Sequence, residues 1–212
     1  SVKRGRNLQL RACAGQGYAS HAEIVFVPKN LAAKIPNSVA FDEAAYATLG
    51  AIAMQGVRQS QAAVGERVAV IGLGLLGLIT AQILKASGCT VIGFDITGDA
   101  CQTALELGAD QALLSQDNNL AIIEELTDGY GVDSAIITAA SKTNQPIVLA
   151  GSITRNKGIV VIVGGVPADI PRSPFYEKEI DVRFSRSYGP GRYDVSYEER
   201  GLDYPYGYVR WT

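Results

Sequence analysis

Histidine occurs once in this sequence, as His21, and tryptophan and methionine once each. Cysteine occurs three times, at Cys13, Cys89 and Cys101. No two of these stand at metal-ligand spacing, and an odd, scattered set makes no disulfide framework, so a reducing compartment fits best. An excess of one charge is lacking too. Nineteen Lys and Arg against 21 Asp and Glu leave a net charge of −2, which excludes the basic footprint of a nucleic-acid or anionic-membrane binder. Long apolar runs are missing. The most apolar stretch, residues 68–81, is broken by Gly72, Gly74 and Gly77 and is too short for a membrane span. The basic start (Lys3, Arg4, Arg6) is followed only by Leu8 and Leu10, without the apolar core of a secretory signal. The expectation is a cytoplasmic protein without nucleic-acid or membrane partners.

Hydrophobic residues make up 47% of the 212 and charged residues 19%, the composition of a globular chain. Residues 23–27, EIVFV, read as a strand ending at Pro28, and a connector runs to Pro36. Asp42 and Glu43 open an Ala-rich helix over 44–59, placed where a helix N-terminus favours anions. From residue 67 the pattern becomes regular. Apolar strands are expected at 67–72, 90–95, 110–115, 132–140, 158–165 and 179–187. Helices are expected between them at 75–88, 99–108, 118–129 and 144–153. Strands apolar on both faces, alternating with helices, imply a parallel sheet covered on both sides. The fold class is therefore α/β, a doubly wound parallel sheet of Rossmann type over residues 42–185. Residues 1–41 and 186–212 lie outside this alternation.

VAVIGLGLLG supplies Gly72-x-Gly74-x-x-Gly77, with Leu75 and Leu76 between the last two glycines. The motif follows an apolar strand and opens a helix, the context that makes it informative. Gly72 suits the tight turn, Gly74 the approach of a pyrophosphate, and Gly77 close helix–strand packing. The helix N-terminus would hold the phosphates. Asp95 ends the next strand, 18 residues beyond Gly77, near the ~20 expected of the ribose-binding carboxylate. No Arg or Lys lies between Phe94 and Ala100 to receive a 2′-phosphate, so NAD is expected over NADP. Thr97 is placed to reach the adenine side. Thr138, Ala139 and Ala140 end the fourth strand, and small residues there leave room for the cofactor riboses. Gly164, Gly165 and Val166 end the fifth. A packing-only role for the glycines, and another ligand bound in the same way, such as S-adenosylmethionine, are the alternatives. The chain contains no Tyr-x-x-x-Lys pair.

GYASHAEIVFVPKNLAAKIPNSVAFDEAA and AVGERVAVIGLGLLGLITAQILKASGCTVIGFD, with LELGAD, VDSAIITAA and GIVVIVGG, resemble the medium-chain dehydrogenase/reductase family over residues 12–185. TLGAIAMQGVRQ, SRSYGPGRYD and YEERGLDYPYGYVRWT further resemble the medium-chain half of bacterial two-part oxidoreductases. The resemblance implies that residues 1–41 are a remnant of a GroES-like catalytic domain and 186–212 a Tyr-rich return segment toward it. It places Gly164 and Gly165 near the nicotinamide. It also implies hydride transfer to or from a small-molecule alcohol or carbonyl, a sugar or nucleotide sugar of polysaccharide metabolism, and a homodimer formed through Rossmann domains. The family's third catalytic zinc ligand would fall in YATLGAI, residues 46–52, which holds no Cys, His, Asp or Glu. A zinc-free site is therefore expected.

His21 and Cys13 read as loop residues, and Cys89 and Cys101 as core fillers. Arg186, Tyr188 and Arg192 around GPG either grip an anionic substrate group or pair with Glu177, Glu179 or Asp194. The aromatic cluster at 193–211 reads as a partner face or as the cover of a domain edge. An NAD-sensing module without turnover, or an inactive shortened relative, are the rival readings of the whole.

Overall fold

The computed structural model describes residues 26–116 and 119–205. Two compact units are distinguished. One is Ile52–Ser187, and the other joins the described parts of Ser1–Ala51 and Tyr188–Thr212.

The larger unit carries six parallel strands, β1 (Arg67–Ile71), β2 (Thr90–Asp95), β3 (Gln111–Leu114), β4 (Val132–Ile137), β5 (Thr154–Ile162) and β6 (Asp181–Phe184). Their order is β3-β2-β1-β4-β5-β6, parallel at every pairing. The chain starts at the centre, builds outward to β3, returns to β4 beside β1 and builds the other way. The reversal lies between β1 and β4, where the carboxyl ends of neighbouring strands open a crevice. Among the described residues the helices, numbered in chain order, are α1 (Phe41–Ala44), α2 (Ala47–Ser60), α3 (Leu75–Ala86), α4 (Gly98–Glu106), α5 (Asn119–Leu126), α6 (Gln145–Ile153), α7 (Arg172–Phe175) and α8 (Val195–Glu198); α3 to α7 lie between successive strands, and α1 and α8 belong to the smaller unit.

Successive strand residues point to opposite faces, so each face has its own core. Val68, Val70, Val91, Ile136 and Val161 pack with Ala81 and Leu84 of α3, Cys101 and Ala104 of α4, and Val57 of α2. Ala69, Ile71, Ile92, Phe94, Ala135, Ile137 and Val160 pack on the other face with Ile123 of α5 and Ile147, Ala150 and Ile153 of α6. Burial of each Val, Leu, Ile or Phe among these contributes about 1.5–3 kcal/mol and of each Ala less, and the helices covering both faces are why the central strands are apolar on both rather than alternating.

The expected helix over 44–59 is two helices, broken at Ala45 and Tyr46, with the Glu43 carboxylate accepting the Ala40 N–H at 2.8 Å. Strand β4 ends at Ile137 rather than at residue 140, because Thr138 and Ala139 both turn their N–H groups to the Ile71 carbonyl. Strand β5 begins at Thr154, directly after α6, with its first residue paired to Val132 across an irregular step before the regular register. Helices α7 and α8 were not expected, being too short for periodicity to mark. Of the strand expected at 23–27, residues 23–25 lie outside the described residues; Phe26 and Val27 are in no strand.

The amino ends of three strands are laced by one carboxylate. Asp133 of β4 accepts the Arg67 N–H of β1 at 2.8 Å and the Arg155 Nε–H of β5 at 2.7 Å. Lys85 and Asp110 make a similar tie, the Asp110 carboxylate also accepting the Val91 N–H at 2.7 Å. Lys178 donates to the carbonyls of Gly151, Ser152 and Thr154 at 3.1, 2.7 and 2.8 Å, closing the carboxyl end of α6 with a cation where the helix dipole favours one. Replacing Asp133 by Ala leaves the Arg155 guanidinium without its carboxylate. The expected cost is about 2 kcal/mol, read as a lower urea midpoint at unchanged m-value.

Candidate functional site

The motif glycines gather at the crevice between β1 and β4. Gly72 leaves β1 with φ +98°, a conformation that favours glycine, and its N–H donates to the Phe94 carbonyl at 2.7 Å. A Cβ there would lie 2.6 Å from the backbone of Ala139. Gly74 caps α3 with ordinary backbone angles, and a Cβ on it would meet nothing within 4 Å. The turn is thus open at Gly74 and closed at its neighbours. Leu75 is exposed, Leu76 half-buried, and both lie in the first turn of α3. At Gly77, a Cβ would fall 1.9 Å from the Gly72 carbonyl oxygen and 2.9 Å from Thr138 Oγ1.

Thr138 donates its hydroxyl to that same Gly72 carbonyl at 2.6 Å. Its side chain therefore braces the turn from β4, a use that spacing alone did not reveal. Ala139 packs against Gly72, and Ala140 is exposed. A Cβ on Gly164 would lie 2.1 Å from the Ala139 carbonyl oxygen, whereas one on Gly165 would meet nothing within 4 Å. The Ser141 N–H donates to the Gly165 carbonyl at 3.0 Å, tying the loops after β4 and β5 together; half-buried Val166 follows. Gly72, Gly77, Thr138, Ala139 and Gly164 are one contiguous cluster.

The other flank belongs to Asp95. Its Oδ2 accepts the Leu73 N–H at 2.7 Å, and its Oδ1 accepts the Thr97 N–H and hydroxyl, both at 3.0 Å. Leu73 is a site residue that the motif hides, because it is the unnamed position between two glycines. Its apolar side chain is buried while its backbone N–H joins the turn to the acidic residue.

Among the described residues no three of His, Cys, Asp and Glu converge as metal ligands. Cys89 and Cys101 are buried in the core, and burial pushes both thiols up, opposite to what a metal-binding thiolate requires. Cys13 and His21 lie outside the described residues, as do 206–211 of the aromatic cluster. The described residues do not fit a zinc centre. A cavity of about 410 Å³ opens at the amino ends of β4 and β5, beside Tyr130, Arg155 and Lys178. Burial pushes the Lys178 ammonium down.

In the smaller unit, the segment around GPG folds on itself. The Arg192 guanidinium contacts both Glu198 oxygens at 2.9 and 3.1 Å, and the Tyr188 hydroxyl donates to Oε1 of the same carboxylate. The expected partners are engaged elsewhere: Glu177 accepts from Ser173, Glu179 pairs with Lys157, and Asp194 caps α8 and accepts from Tyr204. Tyr197 and Tyr204 stack with centroids 5.4 Å apart, and Asn30 donates to the Tyr197 carbonyl at 3.0 Å. Burial alone would raise the Glu198 carboxyl, but the Tyr188 hydroxyl and the Arg192 charge hold it below its usual range. Burial and the Glu198 hydrogen bond push the Tyr188 phenol up.

A family model for zinc-binding dehydrogenases matches residues 76–199. (R,R)-butanediol dehydrogenase of Bacillus subtilis (strain 168) is 34% identical over 151 residues, covering 69% of this chain and 42% of the relative. A solved 2R,3R-butanediol dehydrogenase from Bacillus subtilis superposes with a TM-score of 0.66 at 31% identity, over 78% of this chain and 47% of that one. Two further structures carry nucleotides. One from E. coli CFT073, described as a short chain alcohol dehydrogenase complexed with NADH, has a TM-score of 0.66 at 26% identity over 76% and 48% of the two chains. One from Sinorhizobium meliloti 1021, described as a zinc-binding dehydrogenase bound to NADP, has a TM-score of 0.65 at 25% identity over 74% and 48%.

The class is thus the α/β nucleotide-binding fold of the dehydrogenases. Within it the chain belongs to the zinc-binding dehydrogenase family, the zinc-type alcohol dehydrogenase-like group of medium-chain dehydrogenases. It spans less than half the length of the relatives it matches.

Two predictions follow from the geometry. Gly77→Ala should lower the melting temperature by several degrees, because backbone must move to admit the methyl group, while Gly74→Ala should leave it within a degree or so. For Glu198, whose folded-state pKa is depressed, the stabilisation is present above its ordinary value of 4.5 and lost as pH falls through the folded value. Amide protection factors over residues 188–205, taken against the intrinsic exchange rate at each pH, should fall on acidification, and Glu198→Gln should lower them at neutral pH and flatten the acid dependence.

Proposed function

We propose that the chain is the NAD-binding module of an oxidoreductase that moves a hydride between the nicotinamide and a small alcohol or carbonyl of sugar type, without zinc. The observation that carries the cofactor choice is the Asp95 carboxylate at the end of β2, beside the open turn at Gly74, with no Arg or Lys from Phe94 to Ala100. The solved relatives include one bound to NADH and one bound to NADP, so the choice rests on this chain's own residues. A carboxylate accepts the adenine-side ribose 2′-hydroxyl and repels a 2′-phosphate.

The residues divide the work. The N-terminal turn of α3, with Leu75, Leu76 and Gly77, receives the pyrophosphate where the helix favours anions, and Gly74 admits it to the backbone. Asp95 and Thr97 face the ribose and adenine. Thr138, Ala139, Gly164 and Gly165 line the route toward the nicotinamide, where side chains are small or missing. When bound, the nicotinamide supplies the hydride chemistry, and this chain orients it. A relative named for butanediol supports an alcohol as substrate. The resemblance of SRSYGPGRYD and YEERGLDYPYGYVRWT to the two-part oxidoreductases supports a sugar or nucleotide sugar and a role in polysaccharide metabolism. We take the working form to be a cytoplasmic homodimer joined through the Rossmann units; sedimentation reads whether the chain has the mass of a dimer.

The test is calorimetric titration of the purified chain with NAD and NADP, followed by a screen of alcohols, polyols and nucleotide sugars for a change in NADH absorbance. NAD should bind about tenfold or more tightly than NADP, and Gly74→Ala should weaken both. Asp95→Ala should lose the preference. Failure of the wild-type chain to bind either nucleotide would overturn the reading. Turnover of any substrate would set the oxidoreductase reading apart from a nucleotide-sensing module.

A further inference from the structure

We propose that Thr97 is a positioning residue for cofactor choice, its hydroxyl fixing the Asp95 carboxylate in the orientation that meets the adenine-side ribose. This rests on the NAD reading above. Thr97 stands at the N-cap of α4 with extended backbone, φ −119° and ψ 135°. A threonine hydroxyl there ordinarily accepts an N–H of the first helical turn and satisfies one of its unpaired donors. The Thr97 hydroxyl makes no such bond. It points back along the chain and donates to Asp95 Oδ1 at 3.0 Å, alongside the Thr97 N–H at 3.0 Å.

The consequence is geometric. Asp95 Oδ2 is held by the Leu73 N–H at 2.7 Å, so both ends of the carboxylate are tethered. A carboxylate offers roughly four acceptor sites. Three donors fill three of them, and the remaining direction is set before any ligand arrives. An untethered carboxylate turns about its side-chain bonds and yields to a 2′-phosphate. The Leu73 and Thr97 N–H groups, one on each oxygen, restrain that turning, and the Thr97 hydroxyl, as third donor, narrows what remains, so that the charge stays against the ribose. The hydroxyl therefore serves discrimination rather than the helix, which explains why a good capping residue does not cap.

The substitution Thr97→Val keeps the branched shape and the backbone N–H bond and removes only the hydroxyl. Because α4 makes no use of that hydroxyl, the helix is unaffected. Thr97→Ser keeps the hydroxyl. The experiment titrates the full chain and both variants with NADH and with NADPH by fluorescence, with melting temperatures in parallel. Thr97→Val should weaken NADH by about fivefold, the central value for a typical net hydrogen bond, and should narrow the NADH-to-NADPH preference by about the same factor. Thr97→Ser should stay within about twofold of wild type. Equal weakening of both nucleotides by Thr97→Val, no weakening at all, or failure of Thr97→Ser to restore the preference overturns the inference. A wild-type chain that binds both nucleotides equally overturns the carboxylate's role as well. One that binds neither overturns the proposed function itself.

Discussion

The carbonyl oxygen of Gly72 occupies the space that any side chain at residue 77 would need, and much of the molecule is arranged around that contact. It lets α3 approach β1 closely enough for its first turn to stand over the strand's end. Thr138 reaches the same oxygen from β4. The positive φ of Gly72 directs it there, and Ala139 is small enough to lie against the turn. The crevice at the reversal of the sheet is thus made by backbone meeting backbone, and Gly74 is the point where that crowding stops.

The turn is held from two sides by different chemistry. On one side a neutral hydroxyl from β4 binds a carbonyl; on the other a carboxylate from β2 binds an N–H one residue later. The acidic residue at the end of β2 is therefore a structural partner of the glycine turn as well as its neighbour. Asp95→Ala removes the carboxylate and the acceptor of the Leu73 N–H together, whereas Thr97→Val removes one of three donors to that carboxylate.

Most of the larger unit was legible in the sequence because its signals are local. The apolar runs at 67–71 and 90–95 are bounded by glycine and acid, and their double-faced burial follows from parallel pairing. Gly72, Gly74, Gly77 and Asp95 were legible by spacing. What spacing does not encode is which way a side chain turns. Thr138 looked like a small residue making room and proves to be a brace. Arg192 is read from the sequence as gripping an anionic group or pairing with Glu177, Glu179 or Asp194, and it is buried against Glu198, six residues on, through a fold that no periodicity marks. Leu73 was invisible because its contribution is a backbone N–H. The break at Ala45 and Tyr46 was missed because an Ala-rich run satisfies helix propensity on both sides of it.

The lacing of the sheet by Asp133 has a counterpart at the far end of the same strands. At the amino ends, β1, β4 and β5 are joined by a carboxylate reaching an N–H and a guanidinium; at the carboxyl ends, their loops approach through Gly72, Ala139 and Gly164, where side chains are missing or minimal. The two ends therefore tolerate different kinds of sequence drift. At the floor a change must keep the charges of Asp133 and Arg155 matched; at the roof it must add no volume at Gly72, Ala139 or Gly164 and must keep the Thr138 hydroxyl. Variation among descendants of such a chain would be filtered by charge at Asp133 and by volume around Gly72, within strands only a few residues long.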